Sequence, residues 1–256
     1  LYLRSKMEDT PVFREIEEEG EKEPEVKTEF KDLIFHYWKP LLVLSGLVVA
    51  LNVVNYTLLS YMPTYLEIHL GLTTAQALIV PIIGMLFMMV FLPFAGALSD
   101  RVGRKPMWWF SLIGLFVLVV PLYMLMSTSL VGAIVGFAIL GLLYVPQLAT
   151  ISATFPAMFP TPVRFAGFAI AYNVSTSLFG GTSPAANAWL IGLTGNDLTP
   201  AYYMMAACLV GGIALLFVVE TAGQSIRGTE IPGTEESERE LAEMDAPDPV
   251  AGRAPA

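Results

Sequence analysis

The side chains able to do chemistry in this chain sit inside long apolar runs. Asn52, Asn55 and Tyr56 fall at i, i+3 and i+4 of one run, so a helix puts them on one face. Amides can hydrogen-bond a carboxylate and an aromatic face attracts an ammonium, so this face suits a small zwitterion. It also suits hydrogen bonding between helices. Tyr144 and Gln147 share a face of a later run and are open to the same two readings. Asn173, Thr176, Ser177 and Gly180 recur at i, i+3, i+4 and i+7, a stripe that either lines a cavity or forms a close-packed seam. Immediately beyond, Gly180, Gly181 and Pro184 interrupt the apolar pattern. A break there is either a transport hinge or a kink that neighbouring helices tolerate.

Other chemistries have no residues to carry them. Cys208 is the single cysteine, and His36 and His69 lie far apart, so neither a disulfide within the chain nor a metal site is expected. No nucleophile–base pair and no phosphate-binding glycine loop is visible, so no catalytic group and no cofactor are expected. No Asp, Glu, Lys, Arg or His lies centrally in the apolar runs; Glu67 and Glu220 stand at their ends. Proton coupling needs a titratable group that changes exposure. That group is expected outside these runs.

The elements that position these residues are read from hydropathy. The chain has 256 residues, 55% hydrophobic and only 14% charged. A soluble domain carries about 25% charged residues, so this is not the composition of a water-soluble globule. The runs extend over Pro40–Leu66, Thr74–Leu98, Met107–Met126, Leu130–Phe155, Val163–Leu193 and Ala201–Val219. Each is near or above the roughly 20 residues that cross a bilayer as a helix. An all-α membrane protein with six transmembrane helices is expected over residues 40–221, with Pro146 and Pro156 able to bend the fourth. No secretory signal peptide is visible.

The net charge of −9 resides at the two ends. Residues 1–39 hold 7 Lys/Arg against 11 Asp/Glu, residues 40–221 hold 4 of each, and residues 222–256 hold 3 against 8. This argues against nucleic acid or anionic lipid as the main ligand. Lys31 and Lys39, Arg101 to Lys105, Arg164 and Arg227 occupy alternate connections, and the intervening loops contain no Lys or Arg. Both ends of the bundle are therefore expected in the cytoplasm. Within residues 1–39, Leu1 to Leu3 read as the end of a preceding span, followed by a cytoplasmic loop. Phe30, Leu33, Ile34, Tyr37 and Trp38 form an apolar stripe expected to lie at the membrane interface. Residues 222–256, rich in Glu, Pro, Ala and Gly and without sustained heptads, are expected to be a disordered acidic cytoplasmic tail.

The most specific motif joins the second and third runs. In Gly96-Ala97-Leu98-Ser99-Asp100-Arg101-Val102-Gly103-Arg104-Lys105-Pro106, glycines permit a tight turn. Asp100 can pair with a neighbouring arginine or sit at a helix N-terminus. Such a charged clasp can hold two helical bundles together on one face and release them. The motif resembles the G-x-x-x-D-R-x-G-R-K/R signature of the major facilitator superfamily, which makes Gly96, Asp100, Arg101, Gly103, Arg104 and Lys105 the candidate gating residues.

Further stretches are similar to the metabolite:proton symporter branch of that superfamily, and within it to the bacterial proline/glycine-betaine transporters. They are Asn55-Tyr56-Thr57-Leu58-Leu59-Ser60-Tyr61-Met62-Pro63-Thr64-Tyr65-Leu66, Phe155-Pro156-Ala157-Met158-Phe159-Pro160-Thr161-Pro162-Val163-Arg164, Pro200-Ala201-Tyr202-Tyr203-Met204 and Glu220-Thr221-Ala222. The resemblance implies the C-terminal half of a twelve-helix fold, with a six-helix N-terminal half as its partner. It implies proton-coupled uptake of proline, glycine betaine or a related compatible solute across a bacterial inner membrane. An oxoacid or shikimate-like acid is the alternative substrate, and a non-transporting sensor subunit is the remote one. The absence of a central Arg or Lys favours the zwitterion.

Overall fold

The computed structural model describes residues 34–224 and 230–244, and every regular element among them is helical. Five helices are long and apolar enough to cross a membrane: Trp38–Ile68, Thr74–Val102, Arg104–Met126, Leu130–Thr154 and Thr199–Leu216. The fifth apolar run supplies the remaining span, in two pieces.

The first span comprises α1 (Trp38–Asn55), a π-helical turn (Tyr56–Tyr61) and α2 (Met62–Ile68). The fifth repeats this plan with α6 (Arg164–Ser175), a π turn (Thr176–Gly180) and α7 (Ser183–Thr194). The other spans are α3 (Thr74–Val102), α4 (Arg104–Met126), α5 (Leu130–Thr154) and α8 (Thr199–Leu216).

Each π turn includes the residue four positions before a proline, Leu59 before Pro63 and Gly180 before Pro184. A proline ring clashes with that carbonyl, and the widened turn relieves the clash. Proline alone is not sufficient, because Pro81, Pro93, Pro121 and Pro146 lie in uninterrupted helices. What distinguishes the two π turns is that they pack across one seam and are cross-linked by side chains.

The fourth span lies between the second and third, the third packs on the sixth, and the sixth on the first. Small residues set the last spacing: a Cβ on Gly46 would stand 2.7 Å from the Ala214 Cβ, and one on Gly211 would stand 2.5 Å from the Ala50 Cβ. Leu44, Leu47, Leu51, Phe137 and Tyr144 fill the interior. The outer faces are apolar, with Ile82, Leu86, Phe87, Val90 and Phe94 of α3 and Leu209 and Ile213 of α8 exposed. This far exceeds the patches tolerated by soluble monomers and is the surface of a multi-pass membrane protein.

Several boundaries differ from the sequence expectation. The second helix runs on from Leu98 to Val102 and the third starts at Arg104 instead of Met107. Hydropathy marks where a helix leaves lipid, not where its hydrogen bonds end. Pro146 lies within α5, whereas Pro156 opens the 3-10 turn (Pro156–Met158) that follows it. Of the interfacial stripe, Phe30 and Leu33 lie outside the described residues. Residues 34–36 are helical and a bend at Tyr37 separates them from α1.

The acidic tail, expected to lack order from residue 222, carries helix α9 (Glu235–Met244). Glu235, Glu236 and Glu238 crowd its first turn, where the helix dipole favours anions. Ser237 N–H donates to the Thr234 hydroxyl at 3.3 Å. Composition registered the charge but not its placement at a helix N-terminus.

Candidate functional site

The seam between the first and fifth spans gathers a cluster of polar side chains. Asn52, 2% exposed, donates its Nδ2 to Thr176 Oγ1 at 2.8 Å. One turn along, the Tyr56 ring occupies the space over Gly180, where an added Cβ would come within 2.7 Å of its Cε2. Further along, Asn187 Nδ2 donates to Thr57 Oγ1 at 2.9 Å and to the Ser183 carbonyl at 3.0 Å. Asn187 is fully buried, and its Oδ1 accepts no hydrogen bond.

The structure therefore brings together Asn52, Tyr56, Thr176 and Gly180 from the sequence-expected set. Asn55 is half-buried beside them, and Gly181 and Pro184 follow the second π turn. Asn173 is exposed, its Nδ2 donating to the Ala169 carbonyl at 2.8 Å. Thr57 and Asn187 are additions. Asn187 stands seven residues after Gly180 and continues the polar stripe beyond the glycine break. Thr57 stands five after Asn52, a step that shares a face only where the helix widens into a π turn.

Tyr144 and Gln147 are elsewhere. Both are fully buried in the fourth span. Gln147 Nε2 donates to Ser111 Oγ at 2.8 Å, and that hydroxyl donates to the Leu143 carbonyl at 2.5 Å, tying the third and fourth spans together. Gln147 points into this packing, whereas Tyr144 lies near Tyr172 of the fifth span. Three apolar crevices, of about 590, 540 and 280 Å³, open away from this seam, and none of the three is lined by a seam residue.

A second cluster closes the end of the bundle that carries the basic residues. Gly103 alone separates α3 from α4, at φ 105°. Directly over it lies the carboxylate of Glu220, which follows the sixth span. A Cβ on Gly103 would stand 2.8 Å from Glu220 Oε2, so only glycine fits. Glu220 accepts from the backbone N–H groups of Arg104 (3.0 Å), Lys105 (2.8 Å), Thr221 (3.0 Å) and Ala222 (2.9 Å). It thereby caps the N-terminus of α4, where orphan N–H groups and the helix dipole favour an anion. Partial burial pushes its pKa up, but the four backbone hydrogen bonds outweigh this and hold it below the usual glutamate value.

The cations of the motif serve helix C-termini. Arg104 Nη1 donates to the Ala153 carbonyl (3.1 Å) and to Thr221 Oγ1 (3.0 Å). Lys105 Nζ donates to the carbonyls of Val218 (2.7 Å) and Leu216 (3.4 Å). Thus Gly103, Arg104, Lys105 and Glu220 tie the third, fourth and sixth spans together. Asp100 does not take either expected role. It lies in the last turn of α3, exposed and, among the described residues, without an arginine partner; the carboxylate at the helix N-terminus is Glu220. Arg101 is also exposed, and Gly96 accepts at its carbonyl from Ser99 Oγ at 2.8 Å.

Comparison with known proteins adds sequence kinship to this geometry. Residues 3–231 match the profile of the sugar (and other) transporter family. The chain is 37% identical over 239 residues to the ectoine/proline transporter ProP of Corynebacterium glutamicum, an alignment covering 90% of this chain and 47% of that protein. It is 36% identical over 247 residues to the glycine betaine/proline/ectoine/pipecolic acid transporter OusA of Dickeya dadantii, covering 93% and 49%. It is 37% identical over 235 residues to the proline/betaine transporter of Escherichia coli K12, covering 89% and 47%. The chain spans about half the length of these curated relatives, and the matched part is their C-terminal half.

Proposed function

The chain belongs to the sugar (and other) transporter family of the major facilitator superfamily, and on that premise we propose that it forms one six-span half of a secondary transporter for proline, glycine betaine or a related compatible solute. The observation that carries this reading is similarity across nine-tenths of the chain to relatives named for those solutes. The chemistry of the seam supports it. Asn52, Asn55 and Tyr56 offer amides and an aromatic face, with the exposed Asn173 further along the fifth span, and no Lys or Arg lies between Pro40 and Asp100 or between Pro106 and Val163 to attract an anionic acid.

The packing supports alternating access. The fifth span widens at a π turn near mid-length and the first at a π turn in its second half, so each can bend there without losing its ends. The solute binds between this face and the N-terminal six-span half, and binding favours the bent, occluded arrangement. The basic end faces the cytoplasm of a bacterial cell, where the Glu220 clasp holds one arrangement, and lipid covers the apolar faces. Protons are the coupling ion. Their carrier belongs to the N-terminal half, because the spans of this half present no acid, lysine, arginine or histidine at mid-membrane.

The test is uptake of labelled proline by cells expressing the complete gene. Betaine should compete and a protonophore should abolish accumulation. No uptake of either solute, in protein shown to reach the membrane, sinks the solute assignment and directs the search to organic acids.

A further inference from the structure

The end of the molecule opposite the clasp holds a titratable contact that the transport reading leaves unused. His69, immediately after α2, places Nδ1 2.8 Å from Asp197 Oδ1 in the turn between the fifth and sixth spans. The His69 ring stacks on Tyr65 at 5.5 Å and 27°, and Tyr65 packs on Tyr123 of α4 at 5.2 Å. The turn that presents Asp197 is itself held. Thr194 and Thr199 hydroxyls meet at 2.7 Å, and Leu198 N–H donates to Asn196 Oδ1 at 2.9 Å.

The surroundings are simple. Glu67 accepts from the Thr74 hydroxyl at 2.7 Å. Tyr61, Tyr65 and Tyr123 are the other titratable groups grouped on this side, and no Lys or Arg occurs in any of the three connections at this end. The imidazole therefore meets one carboxylate and one aromatic face.

Between the first π turn at one end and the His69–Asp197 contact at the other lies α2, only seven residues long. We propose that His69 and Asp197 form a proton-operated latch that holds α2 against the turn between the fifth and sixth spans. The proposal rests on the orientation given above, which puts the pair on the external face. With His69 protonated, the contact is an ion pair as well as a hydrogen bond. With His69 neutral, only the Nδ1–H donation to Asp197 remains. Histidine changes charge between about pH 5 and 8. The latch is thus tighter when the imidazole is charged than when it is neutral, and its loosening frees α2 to pivot on the π turn. External pH then sets how readily the outer end of this half moves.

The experiment follows amide hydrogen exchange of residues 62–69 in the complete transporter in nanodiscs, at about pH 5.5 and 8, corrected for intrinsic exchange. Protection about threefold higher at the lower pH is expected, the scale of a partly exposed ion pair. His69→Gln and Asp197→Asn should each bring that ratio to one. A parent with no pH dependence, or variants that keep it, overturns the latch. The readout needs no substrate. Failure of proline uptake with the exchange ratio intact therefore removes the solute assignment and leaves the latch standing.

Discussion

At the scale of single residues, the basic-end clasp depends on one carboxylate and one glycine. Glu220→Gln removes the charge that four N–H groups converge on. We expect a loss of about 1 kcal/mol after allowing for solvent screening, the size of a helix-capping interaction, read as a lower melting temperature of the complete protein. The pH dependence has a definite sign. A carboxylate whose folded pKa is depressed contributes stability above its unfolded value, about 4.3, and loses it as pH falls through the folded value. The parent should therefore show acid weakening below about pH 4.3 that Glu220→Gln lacks. Gly103→Ala should cost more, about 1–3 kcal/mol, because it combines a positive φ with a methyl driven into the Glu220 carboxylate. Limited proteolysis at the junction of α3 and α4 would report the opening. The motif around Gly103 was legible from sequence; its partner was not. Glu220 lies 117 residues after Gly103, and nothing in local spacing connects them.

At the scale of elements, two spans behave differently from the rest. The first and fifth pair their π turns, with the Tyr56 ring filling the space that Gly180 leaves. Gly180→Val should push the two apart and lower the transport rate at least tenfold, a barrier increase of about 1.4 kcal/mol. Pro184→Ala should let the second π turn tighten to α-helix, lowering the maximal rate more than the affinity. Initial-rate uptake over a range of proline concentrations separates the two. Apolar length revealed the six spans, and the Gly180-Gly181-Pro184 signal revealed the interruption in the fifth. The π turn of the first span was missed because its signal, Pro63, lies near the end of the run, where a proline reads as an ordinary terminus. Tyr144 and Gln147 show the limit of face-sharing arguments. A helical face is visible in sequence, but whether it meets a neighbouring span or a cavity depends on packing that periodicity does not encode.

At the scale of the whole molecule, the proposed solute-binding face is the seam between the first and fifth spans. The seam residues lie between two spans of this half, and the crevices that open elsewhere are apolar. Orientation is directly testable. Cysteines placed at Thr128 and at Ala222, in a Cys208→Ser background of the complete protein, should differ. Thr128→Cys should react with an impermeant thiol reagent in intact cells, and Ala222→Cys only after the membrane is opened. The reverse pattern would invert the topology drawn from the basic residues. The central claim, that this face recognises a compatible solute, is tested most directly by proline binding to the purified complete transporter in nanodiscs, with betaine as displacer. Saturable binding that betaine displaces, weakened at least tenfold by Asn52→Ala in protein that melts as the parent does, is the expected result. Binding of proline and betaine that Asn52→Ala, Asn55→Ala and Tyr56→Leu all leave unchanged, or no binding by folded protein, would contradict it.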